Sequence, residues 1–128
     1  MEILQSQIIM EIQNLLLTKN IAVIGCGGQG GYTLEYLARL GVKSIVFWDG
    51  DCFDESNINR QIGCLETNLW QNKAKVMFER LSLINSTIEL KYKDWYFGEK
   101  DTDLNDSSLS GAYSENYEYD PTNRIITW

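Results

Sequence analysis

Three glycines, Gly25, Gly27 and Gly30, stand at GxGxxG spacing inside the run VIGCGGQGG (23–31), directly behind an apolar stretch. In a strand-to-helix turn the first glycine permits the tight bend and the second lets backbone amides approach a phosphate. The third lets the helix pack closely on the strand. Asp49 follows Gly30 by 19 positions, the separation at which a strand-end carboxylate accepts from ribose hydroxyls. From Asp49 the segment DGDCFDESNINRQIG (49–63) gathers four carboxylates, an asparagine-rich stretch and Arg60, and Lys73 follows. A guanidinium fork and an ammonium beside such a turn suit a triphosphate. The competing reading makes the glycine run a plain bend, with Arg60 and Lys73 as surface cations balancing Asp51, Asp54 and Glu55.

The neighbouring segments decide between these readings. IAVIG (21–25) is short, β-rich and apolar on both faces, as a buried parallel strand requires. YTLEYLARLG (32–41) predicts a helix with Leu34, Leu37 and Leu40 toward the sheet and Gly41 as its stop. VKSIVFWD (42–49) predicts a second buried strand, completing a right-handed βαβ unit. Residues 50–63 read as a loop, 70–85 as a helix with Val76, Leu81 and Ile84 on one side, and 87–97 as a more exposed strand. Upstream, Ile3, Ile8, Ile9, Ile12, Leu15 and Leu16 recur at helical spacing, which predicts a leading amphipathic helix. Residues 98–128 are acidic, rich in Ser and Asn, and hold the only proline, Pro121. They read as a low-order tail, with RIITW (124–128) as a candidate terminal strand. The expected fold is α/β: a Rossmann-like half-domain (1–97) with a mainly parallel sheet, the leading helix, and an irregular acidic tail (98–128).

Composition narrows the function classes. A chain of 128 residues with 44% hydrophobic and 23% charged residues can hold one modest core. A net charge of −7 with scattered basic residues argues against nucleic-acid backbone or anionic membrane as the main partner. A single bound polyanion is still allowed, because backbone amides can hold it. The chain has no histidine, which removes imidazole proton transfer, and no set of metal ligands is read from it. Cys26, Cys52 and Cys64 are an odd number without CxxC spacing and read as reduced thiols in or near the core. No apolar run is long enough to span a bilayer, and a cytoplasmic setting is expected.

The ordered series GCGGQGG, LARLGV, FWDGD, SNINRQ and then KAKVMFERLSLIN resembles the ThiF/MoeB/HesA family, the ubiquitin-activating-enzyme-like adenylyltransferases, over roughly residues 20 to 97. NINRQI and KVMFERLSLIN are also similar to the tRNA threonylcarbamoyladenosine dehydratase branch. The resemblance implies ATP and Mg2+ as cofactors and adenylation of a carboxylate with release of pyrophosphate. It implies a ubiquitin-like or sulfur-carrier protein as partner, or tRNA in the dehydratase branch, and a homodimer or heterodimer. Carried over by position, Gly28 has the backbone that meets the nucleotide, Asp49 is the ribose-binding acid, and Asp51 is the second acid of DxD. Asn57 and Arg60 orient the triphosphate with Ser56 and Asn59 in the same loop, and Lys73 contacts phosphate. Arg60 and Lys73 are the catalytic pair, since fixed cations stabilise charge developing in attack on the α-phosphate.

The chain also departs from the family pattern. Its first arginine is Arg39, so the leading helix does not carry the arginine that reaches across a family dimer. Residues 98–128 contain no DxxDN-like segment of the kind that holds magnesium, and the three cysteines match no family thioester position. The expectation is an incomplete domain that, as it stands, binds nucleotide weakly and does not turn over. A NAD-dependent oxidoreductase half-domain would share the glycine run and Asp49 but gives no reason for SNINRQ or Lys73. A non-catalytic dimerising or truncated subunit is the other alternative.

Overall fold

Two alternating sets of apolar residues along the central strands build two hydrophobic layers. The computed structural model describes residues 2–100, 102–103, 106–109, 118–121 and 124–128. Helices α1 (Glu2–Leu16), α2 (Gly28–Leu40) and α3 (Lys73–Ile84) accompany strands β1 (Asn20–Ile24), β2 (Ser44–Trp48), β3 (Glu89–Lys93), β4 (Glu118–Asp120) and β5 (Ile125–Thr127). The strands form one sheet in the order β3-β2-β1-β5-β4. β1 and β2 run parallel with Asn20 opposite Ser44 and Ile24 opposite Trp48, and β3 continues the parallel part beside β2. β5 is antiparallel to both β1 and β4, with Ala22 opposite Ile126.

Successive side chains of a strand point to opposite faces. Ile21, Val23, Ile45 and Phe47 accordingly face α2 and α3, where they join Leu34, Ala38, Met77 and Leu81 in the main core. Ala22, Val46, Trp48 and Ile126 face the other way and are covered by Leu109, Trp95, Phe97 and Trp128. With both faces covered, β1 and β2 are apolar beyond their first residues, Asn20 and Ser44, as their sequences anticipate.

Several element details differ from expectation for identifiable reasons. Leu40 is exposed, because residues spaced by three drift round a helix of 3.6 residues per turn. The buried stripe of α2 is instead Gly31, Leu34, Glu35 and Ala38. α3 begins at Lys73 rather than at 70, since the Asn72 side chain caps it by accepting the Lys75 N–H at 2.9 Å. Trp70 lies outside the helix with φ 70°. Cys52 is exposed, unlike Cys26 and Cys64, which are buried.

Part of the stretch read as a tail is built into the sheet and its second face. RIITW supplies β5, and β4 lies beyond it. Asp103 is buried and accepts from the indole N–H of Trp95 at 2.9 Å and from the backbone N–H groups of Gly98 and Lys100. Burial raises the Asp103 carboxyl, but these donors outweigh it and hold the pKa below the ordinary value. Residues 110–117 lie outside the described residues, as does the side chain of Ile3. No described helix is long and apolar enough to cross a membrane.

Candidate functional site

The ends of β1 and β2 meet at Gly25. Its N–H donates to the Trp48 carbonyl at 2.8 Å, and its φ of 99° is a left-handed conformation that glycine takes without strain. The chain then turns into α2, which starts within the glycine run at Gly28, with Gly27 at the cap position. Gly30 packs so closely on the turn that a Cβ there would lie 2.0 Å from the Gly25 carbonyl oxygen. The third glycine is therefore fixed by sterics. A Cβ on Gly28 would meet nothing within 4 Å, which leaves that backbone open to an approaching ligand.

Asp49 organises this turn. Its Oδ2 accepts the Cys26 N–H at 2.8 Å and its Oδ1 accepts the Asp51 N–H at 2.9 Å, tying the glycine turn to the loop after β2. Each oxygen keeps a lone pair for a further donor. Asn72, which the sequence reading missed, donates from its side chain to the carbonyls of Asp49 (2.8 Å) and Asp51 (3.3 Å) while capping α3. Lys73, next in line, has a buried side chain whose Nζ lies 3.1 Å from Asp51 Oδ2 and 5.8 Å from the Phe53 ring centroid. A buried ammonium needs such a partner.

Gly25, Asp49 and Asp51 line one pocket of about 210 Å³ together with Tyr96, Phe97 and Arg124. The last three follow β3 or precede β5, and nothing local in the sequence marks them. Tyr96 is exposed, and desolvation, then the Asp51 and Asp49 carboxylates, raises its phenol above the ordinary value. Burial, reinforced by Asp49, raises the Cys26 thiol well above its ordinary value, which disfavours the thiolate.

The SNINRQ residues form a neighbouring turn. Asp54 caps it, accepting from the Ser56 N–H at 2.8 Å and from the Ser56 hydroxyl, while buried Asn57 accepts the Asp54 N–H at 3.0 Å. The Ser56 donors hold the Asp54 carboxyl below its ordinary pKa. Arg60 is exposed and donates to the Ser56 carbonyl (2.7 Å) and to Asn59 Oδ1 (3.2 Å), both within its own turn. Gln61 joins this turn to the glycine run: it is buried, and its Oε1 lies 3.4 Å from where a Cβ on Gly27 would stand. The structure thus brings Gly25, Asp49 and Asp51 together with Lys73 on Asp51. It places Ser56, Asn57, Asn59 and Arg60 in an adjoining turn whose contacts are internal.

The arrangement fits a nucleoside phosphate: open backbone at a helix start, a carboxylate at a strand end, and cations at the rim. The described residues hold no group of three or more His, Cys, Asp or Glu side chains placed to bind a metal. They do not compose a protein cage for Mg2+, an ion commonly held by one or two carboxylates together with substrate phosphates.

The chain is 39% identical over 75 residues to tRNA threonylcarbamoyladenosine dehydratase of Bacillus subtilis, a match covering 59% of the chain and 30% of that protein. It is 35% identical over 89 residues to sulfur carrier protein ThiS adenylyltransferase of Escherichia coli, covering 70% of the chain and 36% of that protein. The chain thus matches about a third of the length of these curated relatives. The solved E. coli tRNA N6-threonylcarbamoyladenosine dehydratase in complex with ATP superposes with a TM-score of 0.65 at 36% identity, over 67% of this chain and 35% of that one. The ThiF family model matches residues 2–111. With the matched span taking in the glycine turn, Asp49, the SNINRQ turn and Lys73, the chain belongs to the ThiF family.

Proposed function

We propose that this chain binds ATP at the glycine turn and serves the adenylate-forming chemistry of its family, in which a carboxylate and ATP give an acyl-adenylate and pyrophosphate. The observation that carries the reading is the Asp49 carboxylate, which ties the Gly25 turn to the Asp51 loop and faces the pocket between them. In this reading Asp49 accepts from ribose, and the amides of Gly27 and Gly28 at the start of α2 meet phosphate. Arg60 swings from its turn to join Lys73 on the outer phosphates, with Ser56, Asn57 and Asn59 holding that turn in shape. Mg2+, when bound, would neutralise phosphate charge; Asp51, whose side chain is 55% exposed, is the carboxylate placed to meet it.

A sulfur-carrier or ubiquitin-like protein supplies the carboxylate, in line with the ThiS adenylyltransferase relative, or the threonylcarbamoyl group on a tRNA adenosine supplies it, in line with the dehydratase relative. A second subunit sits on α1, where Ile8, Ile9, Ile12 and Leu15 are each about half exposed. Three unpaired cysteines suit a reducing, cytoplasmic setting.

Calorimetric titration of the chain with ATP and magnesium, and separately with NADH, tests the reading. ATP is expected to saturate the site with at least about tenfold tighter binding than NADH, a difference of ~1.4 kcal/mol. The reverse preference would return the site to the oxidoreductase reading.

A further inference from the structure

The pocket beside Gly25 has one lining cation, Arg124, that forms no ion pair with another described residue. Arg124 stands immediately before β5, and its carbonyl accepts the Ile24 N–H at 3.0 Å, which fixes its backbone against the residue leading into the glycine turn. Its φ of 54° is left-handed, a conformation rare for a residue with a side chain and one that recurs at binding sites. Two carboxylates, Asp49 and Asp51, line the same pocket. The other nearby cation, Lys73, is already engaged by Asp51 at 3.1 Å. Arg124, by contrast, makes no side-chain hydrogen bond or ion pair with another described residue and is exposed. An anion entering between the two carboxylates would be repelled unless a cation met it.

We propose that Arg124 is a ligand of the phosphate attached directly to the ribose, the α-phosphate of a nucleoside phosphate whose sugar is held at Asp49. This rests on reading the pocket as a nucleotide site. A planar guanidinium presents two parallel N–H donors, matching two phosphate oxygens in a way a single ammonium does not. Arg60 and Lys73 approach from the loops after β2, whereas Arg124 arrives from β5, on the other side of the glycine turn. The phosphate chain is thereby met from two sides, and the site gains a means of telling a nucleotide from a nucleoside. None of the sequence signals around Arg124 carries this role, because it depends on β5 lying antiparallel to β1.

The test compares adenosine, AMP and ATP binding by calorimetry at low ionic strength in the intact chain, Arg124→Asn and Arg124→Lys. Asparagine tolerates the left-handed backbone, so this change removes the charge while keeping the turn. The expected result is a loss of about tenfold or more for AMP and ATP in Arg124→Asn, as for removal of a hydrogen bond to a charged group. Adenosine binding should stay unchanged, and Arg124→Lys should recover part of the loss. Equal affinities of the intact chain and Arg124→Asn for AMP would overturn the proposal while leaving the nucleotide site standing. Equal losses for all three ligands would overturn it too, by marking a structural role. If the intact chain binds none of the three saturably, the nucleotide reading itself fails, and the proposal with it.

Discussion

At the scale of residues, two glycines two positions apart in the glycine run, Gly28 and Gly30, carry opposite constraints. A Cβ on Gly30 would sit 2.0 Å from the Gly25 carbonyl oxygen, whereas one on Gly28 would meet nothing within 4 Å. Both lie in α2, where alanine ordinarily stabilises by up to ~1 kcal/mol over glycine. At Gly30 that gain is outweighed, because backbone cannot yield as a flexible side chain does; overpacking costs typically ~1–3 kcal/mol or more. Gly30→Ala should therefore lower stability in urea denaturation by roughly 2 kcal/mol or more, while Gly28→Ala should leave it unchanged or raised. Equal effects at the two positions would contradict the geometry. The glycine spacing and Asp49 were legible in the sequence because local turn chemistry dictates them. Asn72, Gln61 and Arg124 were not, since each acquires its role from a partner brought close by folding, such as Asn72 to the Asp49 carbonyl across 23 positions.

At the scale of elements, α2 and α3 are joined by charge as well as by apolar packing. Glu35 on α2 is buried and accepts from Arg39 on its own helix at 2.9 Å and from Arg80 of α3 at 3.3 Å. Burial raises the Glu35 carboxyl, but hydrogen bonding from Arg39 and the charge of Arg80 overcome this and set its pKa below the ordinary 4.5. A carboxylate with a lowered folded-state pKa adds stability that is complete above the ordinary value. That stability is lost as the pH falls through the lowered one. The stability gap between the wild type and Glu35→Gln, measured by urea denaturation across pH, should be constant from pH about 7 to 5 and then narrow toward pH about 3. A gap that stays constant throughout would show that Glu35 contributes no linked protonation. The helices themselves were readable from periodicity. What periodicity missed was which stripe of α2 is buried, since Glu35 rather than Leu40 belongs to it. A lone glutamate at a core position looks polar until its two arginine partners are known.

For the whole molecule, the three parallel strands and the two helices on one face were legible because each is a continuous local pattern. The pairing of β5, whose RIITW reads only as a candidate terminal strand, the strand β4, and the cover over the second face were not. These strands have three residues each; β4 pairs with β5, and β1, the other partner of β5, lies about a hundred residues earlier in the chain. β5 matters to function because it occupies the place beside β1 where the glycine turn opens, and so brings Arg124 to the pocket. The central claim is that ATP binds at the end of the sheet where the glycine turn leaves β1, and nowhere else on the described surface. The most direct measurement is titration of ATP into isotopically labelled protein, following backbone amides by NMR. Saturable shifts are predicted for Gly25, Gly27, Gly28 and Gly30, for Asp49 and Asp51, and for Tyr96. The account would be contradicted by no saturable shift at these amides, or by shifts confined to another hollow such as that lined by Tyr32, Tyr36 and Arg39 on α2.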